Sequence, residues 1–369
     1  MQESFKIKSS SGGYDIFLGS NLLEVFLKNH PDTFILIDRN LKGCVPNQFK
    51  KVIVIDAFES SKSIENLPNI LLEMRKLGAN RKTHLLAIGG GIIQDIATFA
   101  ASVYMRGIKW TYFPTTLLGM VDSCIGGKSS INLAGYKNLI GNFYPPTDIV
   151  IDLNFIKTLP KEEIAGGLLE AVKICFARQG DTFEKFISLN PRVSLGLNDT
   201  QKVVSMSLKT KKWFIEIDEY DQNERLLLNY GHTFGHAIEA GTNYAISHGV
   251  AVGMGMIIAN HFALLTNKIS NKGLKRLNQL NDYIIDLVGR NLENIMKKAP
   301  SLKINDILEK FESDKKHYKD AYRIIVPDHI GNLLIQEIPI NQESKALIYS
   351  AYIDGLASIG YQSVKQGSS

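Results

Sequence analysis

The chain has 369 residues, enough for two domains at roughly 150 residues each, and 44% hydrophobic with 21% charged content is that of an ordinary globular protein. Disordered, collagen-like and disulfide-stapled classes are excluded. Its 42 basic and 37 acidic residues leave +5, spread along the chain rather than gathered in one arm. Nucleic acid is therefore not implied, while a positive site suits a small anionic substrate.

Alternation at Phe5 and Ile7, then at Tyr14, Ile16 and Leu18, with SSSGG between, predicts a hairpin. Short β-rich runs follow at Phe34 to Asp38, Lys51 to Asp56, His84 to Ile88, Ile108 to Phe113 and Asp148 to Asp152, separated by helical patterns. Strands alternating with helices mean a mostly parallel sheet. The texture then becomes helical over 163–178, 198–217, 231–241, 249–266 and 272–297, interrupted by a late hairpin, YRIIV and LLIQEI, around Gly331-Asn332. The terminal SVKQGSS is read as frayed. The expected fold is α/β: a Rossmann-like nucleotide-binding domain over 1–160, a mainly α-helical metal- and substrate-binding domain over 161–369, and the working cleft between them.

Cys44, Cys124 and Cys175 are odd in number and widely spaced, which argues for a reducing compartment, read as cytoplasm. MQESFKIKSSSGG holds no apolar core, and the longest uncharged apolar run, Gly249 to Ala259, is shorter than a bilayer span, so no membrane partner is expected.

Gly89, Gly90 and Gly91 follow a buried strand and open a helix, which makes either a phosphate cradle at a helix N-terminus or a plain tight turn. Asp38 ends an earlier strand, where an acid can accept ribose hydroxyls. The segment Phe113 to Pro146 carries Thr115, Thr116, Asp122, Lys128, Lys137 and Asn138 in glycine-rich, mostly uncharged company, where polar groups are costly unless they meet a ligand or each other. GGK is not a Walker loop, because Asp122 stands where that motif needs its first glycine.

His232 and His236 are four apart and share a helix face, and His248 follows a loop that can return it to them. Metal binding and a pair of satisfied core histidines both fit that spacing, and no HExxH glutamate lies between the pair. Glu170, in an apolar helix where an unpaired charge is costly, is a candidate fourth group, with Lys173 three residues on. Arg225 and Asn229, read as i, i+4 on one helix face, with Lys211 and Lys315, can wall a site for a carboxylate or phosphate.

Together GGGxxxD, YMRG, PTTLLxMVDSxIGGK, KNLIGxFYxP, TLPxxE, GLxE, LNxGHTFGHAIE and SHG resemble the 3-dehydroquinate synthase family of sugar phosphate cyclases, from about Asp38 to Gly331. The resemblance implies a zinc-type divalent metal, cobalt being an alternative, on Glu170, His232 and His248, with His236 beside it. It implies an NAD site of Asp38, Glu59, Lys62, Gly89, Gly90, Gly91, Asp95, Thr115, Thr116, Lys128, Lys137 and Thr158. Substrate contacts would be Arg106, Asp122, Lys128, Asn138, Lys173, Lys211, Arg225, Asn229, His236 and Lys315, the catalytic members being His236, Lys128, Lys173 and Asn138. Arg106 in YMRG resembles the family arginine that reaches a neighbouring subunit's site, which implies a homodimer. Gln94, Tyr136, Asp221 and Cys124 depart from the family pattern.

The implied reaction converts 3-deoxy-D-arabino-heptulosonate 7-phosphate to 3-dehydroquinate and phosphate by NAD-dependent oxidation, elimination, re-reduction and aldol closure. A cyclase of the 2-deoxy-scyllo-inosose or 2-epi-5-epi-valiolone type, acting on a neutral sugar phosphate, has no carboxylate for Arg225, Asn229 and His236 to hold. A metal-dependent polyol dehydrogenase has no phosphate for the cationic residues.

Overall fold

The computed structural model describes residues 3–10, 12–289, 293, 297, 303–313 and 320–361. It divides into two compact units: the described parts of 1–159 with 196–220, and of 160–195 with 221–369. The first break falls between Leu159 and Pro160. The stretch 196–220, read from sequence as part of the helical half, instead belongs to the first unit.

In chain order the first unit contains β1 (Glu3–Ile7), β2 (Tyr14–Gly19), α1 (Leu22–Asn29), β3 (Phe34–Asp38), β4 (Val52–Ile55), α2 (Leu67–Lys76), β5 (His84–Gly89), α3 (Gly91–Val103), β6 (Lys109–Pro114), β7 (Ile131–Leu133), β8 (Tyr136–Ile140) and β9 (Asp148–Asp152). The second unit opens with α4 (Lys161–Ala177) and α5 (Thr182–Leu189), and α6 (Leu197–Ile217) returns to the first. The second continues with α7 (His232–Gly241), α8 (His248–Thr266), α9 (Asn271–Gly289), a helix Ile304–Glu312, the hairpin of β10 (Ala321–Pro327) and β11 (Leu333–Pro339), and a helix Gln342–Ser358. The terminal SVKQGSS lies outside the described residues.

Seven strands form one sheet in the order β1-β2-β9-β6-β5-β3-β4. All neighbours are parallel except β1, which pairs antiparallel with β2. Phe34 to Ile37 and Leu85 to Ile88 are continuous buried apolar runs, as strands covered on both faces require. From β3 the chain steps outward to β4, then crosses back past β3 to β5 and proceeds to β6 and β9. The strand order thus reverses between β3 and β5, and in open α/β sheets the crevice at the carboxyl ends of such strands is where ligands bind.

The second unit is built around α8, which packs against α4, α7, α9, β10 and the Gln342–Ser358 helix. Its length and apolarity are those of a membrane span, yet 78% of its apolar window is buried. Glycine sets how closely its neighbours approach. A Cβ on Gly249 would lie 2.5 Å from Gly166 Cα, and one on Gly255 would lie 2.1 Å from the Gly231 carbonyl oxygen. These contacts bring α4 and α7 against α8 at backbone distance.

Candidate active site

The reversal point of the sheet brings two expected groups together. Ile37 of β3 pairs with Ile88 of β5, so Asp38 and the turn Gly89 to Gly91 close the same end of adjacent strands. Gly90 caps α3 in an extended conformation, and a Cβ there would meet Thr116 Cγ2 at 2.9 Å, whereas a Cβ on Gly91 would meet nothing within 4 Å. The turn therefore needs glycine at 90 for packing, and at 91 it leaves open space before the helix N-terminus. Asp38 Oδ1 accepts the Asn40 N–H at 2.9 Å, which orients the carboxylate. Thr115 N–H donates to the Gly89 carbonyl and Thr116 Oγ1 accepts from Gly119 N–H, tying β6's exit to the same turn.

Beside it, Lys62 is buried and donates to Asp95 Oδ2 at 3.0 Å and to Asn138 Oδ1 at 2.9 Å, with Glu59 Oε1 at 3.5 Å. Burial pushes the Asp95 carboxyl up to about 6, against the opposing pull of the Lys62 charge and hydrogen bond and of the Ser130 N–H. Asn132, which the sequence did not single out, donates to Glu59 Oε1 and accepts from Asn138 N–H. Asn138 is held at φ 52°, so these bonds secure a left-handed residue on an exposed hairpin.

Asp122 sits in a π-turn, Gly119–Ser123, docked by α6: Ser207 Oγ donates to the Val121 carbonyl, and Lys211 Nζ donates to the Asp122 carbonyl and pairs with its Oδ1 at 2.5 Å. These bonds, with those of Glu3 to Ser205 and Lys209 and of Lys8 to Glu216, tie 196–220 to the first unit. Gln94 secures the opposite side, its amide donating to the Ser123 carbonyl and accepting from Ser123 Oγ, both at 2.7 Å. Lys128 Nζ lies 5.8 Å from the Phe143 ring centre, and Lys137 is half-buried on β8. Thr158 is exposed at the end of the 3-10 turn after β9, its hydroxyl donating to the Phe155 carbonyl. Arg106 is exposed within three consecutive left-handed residues, Met105, Arg106 and Gly107.

In the second unit Glu170 of α4, His232 and His236 of α7 and His248 at the first position of α8 converge. The three imidazole centres form a near-equilateral triangle with sides 5.2, 5.4 and 5.5 Å, and their donor atoms lie within 4.8 Å of one another. Glu170 Oε2 accepts from the buried Lys173 Nζ, while Oε1 lies 3.8 Å from His232 Nε2 and 3.7 Å from His248 Nε2. His248 Nδ1 donates to Glu239 Oε2 at 3.1 Å, and His232 Nδ1 lies 3.4 Å from the Tyr230 carbonyl oxygen. Desolvation opposes the charged form of His248, but Glu239 and Glu170 outweigh it and hold its pKa above the ordinary value.

These donors fit a divalent ion. Two ligands about 2.0–2.1 Å from a tetrahedral centre stand about 3.3 Å apart, close to the spacing of Glu170 Oε1 from both Nε2 atoms. Each of those imidazoles also meets an acceptor through its other nitrogen, the arrangement that fixes tautomer and orientation in metal sites. Glu239 was missed in the sequence. Its signal was available, since His232, His236 and Glu239 recur at i, i+4 and i+7 on one helix face.

Arg225 is buried and Asn229 half-buried, but Glu224–Asn229 is a 3-10 turn rather than an α-helix. At three residues per turn, positions four apart point about 120° away from each other, so the expected shared face does not form. Asn229 instead donates to the Leu226 carbonyl. Lys315 lies outside the described residues.

Fold and side chains thus define a class: an α/β protein whose first unit has the strand reversal at which open parallel sheets bind ligands, and whose second gathers nitrogen and oxygen donors able to hold a metal ion. The chain matches the 3-dehydroquinate synthase N-terminal family over residues 52–166 and the C-terminal family over 167–317. Proteins named 3-dehydroquinate synthase from Dictyoglomus thermophilum and Alkaliphilus metalliredigens are 36% and 33% identical to it, spanning 94% and 95% of this chain and 97% and 99% of their own. The chain belongs to the 3-dehydroquinate synthase family, enzymes of phosphate elimination and cyclisation. Among solved structures, its fold is similar to that of 2-deoxy-scyllo-inosose synthase complexed with carbaglucose-6-phosphate, NAD+ and Co2+ (TM-score 0.82, 24% identity, 96% of this chain and 100% of that one). It is also similar to ValA, a 2-epi-5-epi-valiolone synthase from Streptomyces hygroscopicus subsp. jinggangensis with NAD+ and Zn2+ bound (TM-score 0.73, 23% identity, 95% and 98%).

Proposed function

We propose that this chain converts 3-deoxy-D-arabino-heptulosonate 7-phosphate to 3-dehydroquinate and phosphate, the cyclisation step of the shikimate pathway. The observation that carries the reading is the buried Glu170 carboxylate, shared between Lys173 and the Nε2 sides of His232 and His248, in a chain that matches the family across both halves.

Glu170, His232 and His248 would hold the divalent ion, a zinc-type metal by its mixed nitrogen and oxygen donors. Asp38, Glu59, Lys62, Gly89 to Gly91, Asp95, Thr115, Thr116, Lys137 and Thr158 would hold NAD. When bound, the dinucleotide supplies a reversible hydride acceptor and the ion a Lewis acid on substrate oxygens, which makes a neighbouring C–H acidic enough for phosphate to leave.

The chain's own residues supply position and charge. Arg225, which is buried, offers a planar fork to the substrate carboxylate. Lys128, Asn138 and His236 are assigned to the phosphate, and the hydrogen bond from Lys62 fixes the Asn138 amide. Asp122 is held by Lys211 for a substrate hydroxyl, with Asn229 a further polar contact. Lys173 donates directly to Glu170 Oε2, which fixes that carboxylate oxygen and leaves Oε1 toward the histidines. A site of fixed charges rather than strong bases suits a reaction in which one bound molecule passes through several steps.

The exposed, left-handed Arg106 supports a homodimer in which that arginine reaches a neighbouring copy, and three free cysteines support a cytoplasmic setting. The deciding experiment is phosphate release from the heptulosonate phosphate with trace NAD+. Faster turnover of sedoheptulose 7-phosphate or glucose 6-phosphate would make the chain a neutral-sugar cyclase. Stoichiometric NADH would place it with the polyol dehydrogenases.

A further inference from the structure

Arg39 directly follows Asp38 at the carboxyl end of β3, and Asp56 follows the last residue of the neighbouring β4, where Asp38 pairs in register with Ile55. Three charged residues therefore stand at one corner of the ligand-binding end of the sheet. Their pairing is selective. Arg39 Nε donates to Asp56 Oδ1 and Nη2 donates to Oδ2 at 3.1 Å, so the guanidinium fork is taken up by both oxygens of Asp56, while Asp38 accepts from the Asn40 N–H. Asp56 is itself fixed by its backbone, its carbonyl accepting from Phe58 N–H at 2.8 Å and Ser61 Oγ at 2.6 Å.

The pair is exposed, and exposed ion pairs add little to stability. Its chemistry matters more than its strength. In a dinucleotide crevice the acid at the strand end accepts the 2′-hydroxyl of the adenosine ribose, and an arginine nearby accommodates a 2′-phosphate. This chain carries both residue types side by side, and a third residue engages the arginine.

We propose that Asp56 sets the cofactor preference of this site: by occupying the Arg39 fork it withholds the cation that would accept a 2′-phosphate and leaves Asp38 to select the free ribose hydroxyl. The inference rests on the NAD reading above. Asp56 acts through Arg39 and touches no cofactor itself.

The test is calorimetric titration of the full-length protein with NAD+ and with NADP+, in wild type, Asp56→Asn, Arg39→Gln and the double variant. Wild type should bind NAD+ more tightly. Asp56→Asn should tighten NADP+ by about tenfold, the scale of one added charge-assisted contact, while NAD+ stays within about twofold. The double variant should lose that gain, because a neutral side chain cannot take the phosphate. Tightening of both nucleotides alike, or a gain that survives in the double variant, would show a general charge effect and overturn the proposal. So would an unchanged NADP+ affinity in Asp56→Asn while NAD+ still binds, or a wild-type preference for NADP+. Binding of neither nucleotide by wild type would instead bring down the NAD reading itself, and the proposal with it.

Discussion

Glu239 accepts a hydrogen bond from His248 Nδ1 at 3.1 Å, although the two residues lie on different helices, one near the end of α7 and the other at the start of α8. The bond decides which face of the imidazole points inward: with Nδ1 committed to Glu239, Nε2 is the atom presented to Glu170. Glu239→Ala should therefore lower metal affinity by about 10- to 100-fold without removing any ligand, the usual consequence of losing such a support. Competition with a chelator of known affinity measures this, and an unchanged affinity would remove Glu239 from the site.

The four convergent residues do not have equal tasks in the proposed assignment. His232→Ala and His248→Ala should each abolish bound metal and turnover, since three protein ligands leave none to spare. His236→Ala should keep its metal and lose turnover. Elemental analysis of the three variants separates this set from one made of the three histidines, in which His236→Ala would also be empty.

Asp95 makes stability depend on pH in an unusual direction for a carboxylate. Because burial raises its folded pKa to about 6, from an ordinary value of 3.8, its contribution to stability is fully present below the ordinary value and is lost as pH rises through about 6. The Tm of wild type should accordingly fall relative to that of Asp95→Asn between about pH 4 and pH 7. A constant difference between the two melting curves across that range would contradict the shift.

Gln94 makes two hydrogen bonds to Ser123 that brace the π-turn carrying Asp122. Gln94→Ala should cost about 1–3 kcal/mol in urea unfolding, from two part-buried bonds lost and a side-chain volume left empty. Gln94→Gly should cost about 1 kcal/mol more, because it also places glycine inside α3. A silent Gln94→Ala would mean that α6 alone secures the turn.

Arg225→Ala should reduce kcat/KM for the heptulosonate phosphate by about 2–5 kcal/mol, the scale for truncating one partner of a desolvated charge pair. Lys at this position should restore only part, since a point charge lacks the bidentate fork. The side chain is buried, so a melting curve must accompany the assay to confirm that the variant is folded.

The parallel sheet was legible because its central strands are continuous apolar runs, which burial on both faces demands. The hairpin of β7 and β8 was not, because β8 is largely exposed and shows no alternation to read. Arg225 and Asn229 were misplaced for a related reason: six residues with helical spacing do not distinguish a 3-10 turn from an α-helix, and only the hydrogen bonds settle it. Spacing put His232 and His236 on one helix face and extended to Glu239, which went unread, whereas Asn132 acts through a tertiary contact to position 59 that no local pattern shows. The partnership of α6 with Val121 and Asp122 is likewise a contact some 86 to 89 residues apart, beyond the reach of local pattern.

That long-range partnership constrains how the protein is made. During synthesis the first seven-stranded layer can emerge in full by residue 152, yet the helix that anchors the Asp122 turn follows only after α4 and α5 have left the ribosome. Up to that moment the nascent first unit holds the turn by Gln94 alone, and a fragment ending at residue 160 never acquires the bonds from Ser207 and Lys211. The segment 160–195, for its part, waits on residues from 221 onward for its own packing partners. Neither unit can finish folding ahead of the other's opening segments, so their assembly is interleaved in time, and domains excised at the obvious sequence boundary are expected to misfold.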